Sequence, residues 1–276
     1  MVLTPDSESV NRVLGYFDKF NYPLTLREIW YWQENPVISY SGLKKFLSPV
    51  AAYYYLTGRE ALMTVRRSRN RISRAKLVKA QRVVNLIQKF PFVRAIFITG
   101  ALAMQNSPPD DDIDIFIVVS ENSLWITRLL VILLLRIKKW RRDPHLPEHS
   151  SARVSDKICD NLWLDTDHLA LFNRNLFTAH ELLQAKCLYD SGGIYKQLLM
   201  SNSWARDFLP IAYRQSLKNL ASHKSYIENQ KSIFDFILYL INLFLFTMQY
   251  VYMRPRLTAE KIGLGYAFFH PRTGVV

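Results

Sequence analysis

Residues 95–120, AIFITGALAMQNSPPDDDIDIFIVVS, constrain the fold more than any other part of this chain. Residues 95–99 read as an apolar strand, Gly100-Ala101 as a turn into a short helical piece, and Pro108-Pro109 as a bend before a second apolar strand over residues 113–119. Side chains alternate along a strand, so Asp112 and Asp114 project to one side while Ile113 and Ile115 go to the other. Acids at the mouth of an otherwise apolar strand are costly to bury unless something pairs with them. Two carboxylates on one face suit a hard divalent cation, Mg2+ or Mn2+, which takes carboxylate oxygens together with the oxygens of a bound phosphate. The bland alternative is a solvated turn that happens to enter a strand.

The composition fits a folded protein with a charged partner. At 49% hydrophobic residues over 276 positions the chain can bury real cores, and its formal charge of +13 favours a polyanion or a phosphate-bearing substrate. Cys159 and Cys187 lie far apart without metal-ligand spacing, and MVLTPDSESV lacks the pattern of a signal peptide. A reducing cytoplasm is the expected compartment.

Upstream, Val10, Val13, Leu14 and Phe17 give helical spacing, and Thr25 with Glu28 three residues later predicts a capping box at the start of a second helix. A third helix is expected over residues 41–46, then a hairpin formed by the β-rich residues 51–57 and by residues 61–65. Three short helices followed by a hairpin resemble a winged-helix module. Next come Arg66, Arg67, Arg69, Arg71, Arg74, Lys76, Lys79 and Arg82 with no acid among them, on a helix running to about Lys89. Such a helix is either a solvated linker or a contact for nucleic-acid phosphates, where Lys and Arg supply affinity by counterion release.

Residues 122–140 predict an apolar helix with a basic end, too short to span a bilayer. Residues 158–164 predict a third strand and residues 169–172 a fourth. From Thr178 onward the pattern is helical up to Gly192-Gly193 and beyond. Residues 233–253 form a long apolar helix on which Asp235, Tyr239, Asn242, Phe246 and Gln249 recur as a partly polar stripe, so a buried helix is expected, with a membrane span or surface anchor as the alternative. Residues 254–276 read as a loop-rich tail.

The order strand, glycine turn, ten intervening residues 102–111, and Asp112-Ile113-Asp114 leading into an apolar strand is similar to the signature of the polymerase-beta-like nucleotidyltransferase superfamily, particularly its small bacterial and archaeal members. The resemblance covers about 75 residues if the strand at Ile158 is included. It implies a mixed α+β fold with a mixed sheet flanked by helices. It also implies Mg2+ or Mn2+ on Asp112 and Asp114, and a nucleoside triphosphate whose phosphates approach Gly100 and Ala101. The implied activity is transfer of a nucleoside monophosphate to a hydroxyl on a protein, nucleic acid or small molecule. The family usually carries serine after the glycine, where this chain has Ala101, and it carries a third carboxylate on a later strand, for which Asp160 and Asp165 are the candidates. These departures keep open a weak or inactive relative that binds nucleotide or DNA. Arg174 and His180 have the spacing found in HEPN ribonucleases, a short pattern common by chance. The expected organisation is a winged-helix-like module over 1–65, a basic linker helix over 66–90, a nucleotidyltransferase-like core over 91–175 and a helical region over 176–276.

Overall fold

In the computed structural model, which describes residues 5–36, 38–47, 52–143, 154–220, 233–257 and 260–269, a six-stranded mixed sheet is flanked by helices. Three helices come first: α1 (Pro5–Asp18), α2 (Leu26–Tyr31) and α3 (Tyr40–Phe46). The predicted capping box at α2 is present, with Glu28 N donating to Thr25 Oγ1 and Thr25 N donating to the Glu28 carboxylate. Among the described residues 52–65 the predicted hairpin is absent. Tyr54 makes only an isolated bridge with Leu24, and residues 62–65 already belong to the long helix α4 (Leu62–Ile87). Leu62 and Arg66 are both buried one turn apart, so the helical face of the basic segment simply extends backward and consumes the would-be wing.

The sheet begins with β1 (Val93–Ile98), passes through the short helix α5 (Gly100–Ala103), and continues antiparallel in β2 (Ile113–Val119). Helix α6 (Leu124–Ile137) follows, then β3 (Ile158–Asp165), parallel to β2. The C-terminal part is less helical than its sequence suggests. Helix α7 (Leu176–Gln184) is capped by Asn175 rather than Thr178 and stops early; β4 (Lys186–Asp190) then pairs antiparallel with the outer edge of β1. Helices α8 (Ile194–Ser201), α9 (Ala205–Phe208), α10 (Pro210–Asn219) and α11 (Ile233–Met253) precede a last hairpin, β5 (Lys261–Ile262) and β6 (Tyr266–Phe268). Strand β6 pairs with β3, so the sheet order is β4-β1-β2-β3-β6-β5. Residues 169–172 form no strand; β4 stands where a helix was expected, and β5 and β6 lie in the segment expected to be a loop-rich tail. The open edges of β1 and β3 explain this: their backbone groups need partners, and Lys186–Asp190 and Tyr266–Phe268 provide them.

Alternation along the strands feeds two cores. Ile96, Ile98, Ile113, Ile115, Ile117 and Trp163 pack with Val84 and Ile87 of α4 and with Trp125 and Val131 of α6. Phe97, Phe116, Val118 and Leu164 pack in the other core, which also contains residues of α1–α3 and of α7–α10. The N-terminal helices therefore share a core with the sheet instead of enclosing one of their own.

Helix α11 is not buried. It lies against α6 along one stripe and exposes most of its apolar side chains.

Candidate metal centre

Asp112 and Asp114 stand at the entrance to β2, and each is held there by identifiable forces. The preceding loop is tied down from three directions. Lys76, buried on α4, donates from Nζ to the carbonyls of Pro108 at 2.7 Å and Asp111 at 2.6 Å. Ser73 Oγ accepts from Ser107 N at 3.1 Å, and Tyr22 Oη donates to the Met104 carbonyl at 2.9 Å. Ser155 Oγ donates to the Pro109 carbonyl, and Ile113 N donates to the Lys157 carbonyl. On the other side, Gly100 sits in the left-handed region with φ of 62°, which glycine adopts without steric cost. Thr99 N donates to the Asp114 carbonyl at 3.2 Å, so the glycine turn abuts the acid.

The carboxylates are buried, Asp112 at 7% and Asp114 at 8% exposure, which excludes the solvated turn. Cys159, directly opposite Asp114 in the parallel β2–β3 register, completes a group in which one candidate ligand atom from each residue lies within 4.8 Å of the others. This group can hold a metal ion. The two carboxylates offer oxygens suited to a hard cation, while the thiol is a soft ligand only as thiolate. Burial first, then the neighbouring Asp114 and Asp112 charges, hold the Cys159 thiol well above its ordinary pKa and keep it protonated.

Two further groups touch the acids. Arg142 Nη1 lies 3.0 Å from Asp112 Oδ2, with both side chains buried, and 3.8 Å from Cys159 Sγ. Asp112 Oδ2 has no hydrogen-bond partner, so its charge is balanced by the ion pair without directional bonding. Asn161 Nδ2 donates to Asp114 Oδ1 at 2.7 Å, while Asn161 Oδ1 is buried without a partner. A register shift between Asp114 and Phe116 inserts one extra residue into β3, and this irregularity accompanies the reach of Asn161 to Asp114.

Neither acid considered as a third carboxylate joins the pair. Asp160 pairs with Arg141, 3.0 Å from Oδ1, and with Arg128, 3.8 Å from Oδ2. Asp165 lies opposite Val119, five residues along β2 from Asp114 or roughly 17 Å at strand rise, and binds His168 Nδ1 at 2.6 Å. Cys159 and Asn161 occupy the ground expected for that third acid. Sequence reasoning missed Arg142 because it follows a helix terminus by five residues and reads as part of a basic tail; only the parallel β2–β3 pairing brings it to Asp112.

A cleft of about 790 Å³ opens beside the group, with Cys159 and Asn161 in its lining and Arg128, Arg136, Lys139, Arg141 and Arg142 as its cations. Asp143, Asp160 and Glu260 also line it, leaving a positive balance. Burial lowers the Arg128 guanidinium to about 10, with Asp160 opposing that shift.

The basic helix divides into two sets. Arg66 is buried, bound to Glu28 at 2.7 Å and to the Pro23 carbonyl at 2.8 Å, with its guanidinium 3.6 Å from the centre of the Tyr22 ring. With Lys76 it serves the fold. Arg67, Arg71, Arg74 and Arg82 are exposed. His180 is only 3% exposed, stacked on Tyr16 at 4.0 Å and flanked by Phe17 and Trp32, whereas Arg174 is exposed. That enclosure removes the ribonuclease-like reading of the two residues.

Comparison with protein-family models, with curated proteins and with solved structures gives no match to this chain.

Proposed function

We propose that this chain is a nucleotidyltransferase-type protein that binds Mg2+ or Mn2+ together with a nucleoside triphosphate and transfers the nucleoside monophosphate to a hydroxyl acceptor. The carrying observation is the buried Asp112–Asp114 pair beside the Gly100 turn, with a cleft of positive balance reaching the same strand ends. Phosphoryl transfer needs positioning and charge neutralisation more than covalent chemistry from the protein. A bound divalent cation neutralises phosphate charge and lowers the pKa of the attacking hydroxyl. Asp112 and Asp114 would supply its oxygens, and Asn161 holds the Asp114 carboxylate in one orientation. Arg142 would exchange Asp112 for a phosphate oxygen, a bidentate partner to which guanidinium is well matched. Gly100 and Ala101 would let the backbone approach the phosphates. A nucleic acid is the acceptor or guide most compatible with the exposed arginines Arg67, Arg71, Arg74 and Arg82, in a cytoplasmic setting that suits two free thiols.

A second reading has its own support. Ala101 lacks a hydroxyl, Asn161 stands near Asp114 instead of a third carboxylate, and Arg142 already balances Asp112. These favour a regulatory protein that binds nucleotide or DNA without turnover. The two readings separate on incubation with each labelled nucleoside triphosphate and Mg2+, using the Asp112→Asn, Asp114→Asn double variant as control. Pyrophosphate release above the control supports transfer. Nucleotide or duplex binding without release supports the regulatory reading, and neither binding nor release removes both.

A further inference from the structure

Helix α11 is turned inside out for a helix on a water-facing surface. Two of its polar residues point inward: Asn242 is fully buried and accepts from Trp125 N at 2.7 Å. Gln249 donates to the Trp125 carbonyl at 2.9 Å and accepts from Arg128 Nη1 at 2.8 Å. Most of its apolar residues point outward, with Phe234, Phe236 and Phe244 between 62% and 63% exposed and Val251 64% exposed, while Leu238, Leu245 and Phe246 face the protein. Leu130, Leu133 and Ile137, spaced i, i+3, i+7, add an exposed apolar row on α6. The largest apolar patches of ordinary monomer surfaces are smaller than a face of this length, which marks a docking surface.

The charges around this face select its occupant. Trp125 meets Asn242 and Phe246, while Arg128, three residues further along α6, meets Gln249, so α6 and α11 run in the same direction. At and just beyond their C-terminal ends Arg136, Lys138, Lys139 and Arg254 are exposed. Among the residues of α11 itself Asp235, near its other end, is the only Asp, Glu, Lys or Arg. An apolar helix face bordered by a cationic cluster matches an acyl layer bordered by anionic headgroups.

We infer that α11, with the adjoining row on α6, docks on the surface of a bilayer containing anionic lipid. The helix is long enough to cross a membrane, but its geometry favours lying flat. Asn242 and Gln249 bind Trp125 and Arg128 near the start of α6, and after β5 the strand β6 returns the chain to β3 in the same sheet. Crossing would break those bonds and carry the freed amides into hydrocarbon, where unpaired polar groups are expensive.

The test is co-sedimentation of the full chain with vesicles of phosphatidylcholine alone and of phosphatidylcholine with phosphatidylglycerol, alongside light scattering of the free protein. The expected result is binding to the anionic vesicles, weakened about tenfold or more in Phe236→Ser, Phe244→Ser, as loss of buried apolar area requires. Lys138→Glu, Lys139→Glu is expected to lose the preference for anionic lipid. Both variants change exposed side chains and should keep the wild-type circular dichroism and melting temperature. Equal sedimentation of wild type and the Phe variant, or no sedimentation together with a dimer in solution that the Phe variant dissociates, would overturn the inference.

Discussion

Arg142 and Asp112 form a buried ion pair at 3.0 Å, which places a fixed positive charge on the carboxylate that would otherwise be the most available ligand of the site. On the proposed reading the pair would make the site conditional: Asp112 would stay neutralised by the protein until something more highly charged displaced the guanidinium. Removing one partner of a buried pair leaves the other uncompensated.

Arg142→Gln is therefore expected to lose about 3–5 kcal/mol of stability in the absence of divalent ions. Saturating Mn2+ should return about 2–3 kcal/mol, as a ligand at roughly a hundred times its dissociation constant does. Urea unfolding with and without Mn2+ measures both. Rescue should vanish in the Asp112→Asn, Arg142→Gln double variant, which no longer carries the orphaned charge.

Asn161→Asp would place a third carboxylate within reach of Asp114, since the present amide already donates to it at 2.7 Å. Divalent affinity should rise about tenfold, equivalent to about 1.4 kcal/mol. Without metal the added like charge should lower the melting temperature. Isothermal titration with Mn2+ and a metal-free melt check the two signs together.

Lys76 holds the acid-bearing loop by two charged hydrogen bonds to backbone carbonyls. Burial lowers its pKa, with Asp111 the largest opposing influence. Lys76→Met keeps the stem but loses the ammonium, at an expected cost of about 2–3 kcal/mol. Hydrogen exchange should quicken first at the amides of residues 107–113, whereas a uniform change across the sheet would show that Lys76 does not specifically restrain the loop.

His180 predicts a pH dependence that owes nothing to the metal centre. Burial among Tyr16, Phe17 and Trp32 lowers its pKa from 6.5 to about 3. The unfolded chain then binds a proton that the native chain refuses. The stability contribution is complete above pH 6.5 and is lost as pH falls through the interval down to about 3, at about 1.4 kcal/mol per pH unit in its middle. Denaturant melts at pH 7 and pH 5 should differ accordingly, and His180→Phe should flatten that difference.

What the sequence made legible was local. The two inner strands, the Gly100 turn, the capping box of Thr25 and Glu28 and the positions of Asp112 and Asp114 all follow from short-range pattern, and the structure has them. What it hid depends on pairing across distance. Lys186–Asp190 continues a helical pattern in sequence yet becomes a strand because β1 has an open edge. The polar stripe on α11 suggested burial of the whole helix, whereas only one side of it, with Asn242, Gln249, Leu238 and Leu245, faces the protein. At the site, Asp160 and Asp165 have the right chemistry and the wrong location, and Arg142, Cys159 and Asn161 arrive through the β2–β3 register and its irregularity.

The central claim is that Asp112 and Asp114 together bind a divalent cation, and Mn2+ titration followed by electron paramagnetic resonance tests it most directly. Wild-type protein should remove free Mn2+ signal saturably, and the Asp112→Asn, Asp114→Asn double variant, verified as folded by circular dichroism, should not. Identical Mn2+ binding by the two proteins would contradict the claim.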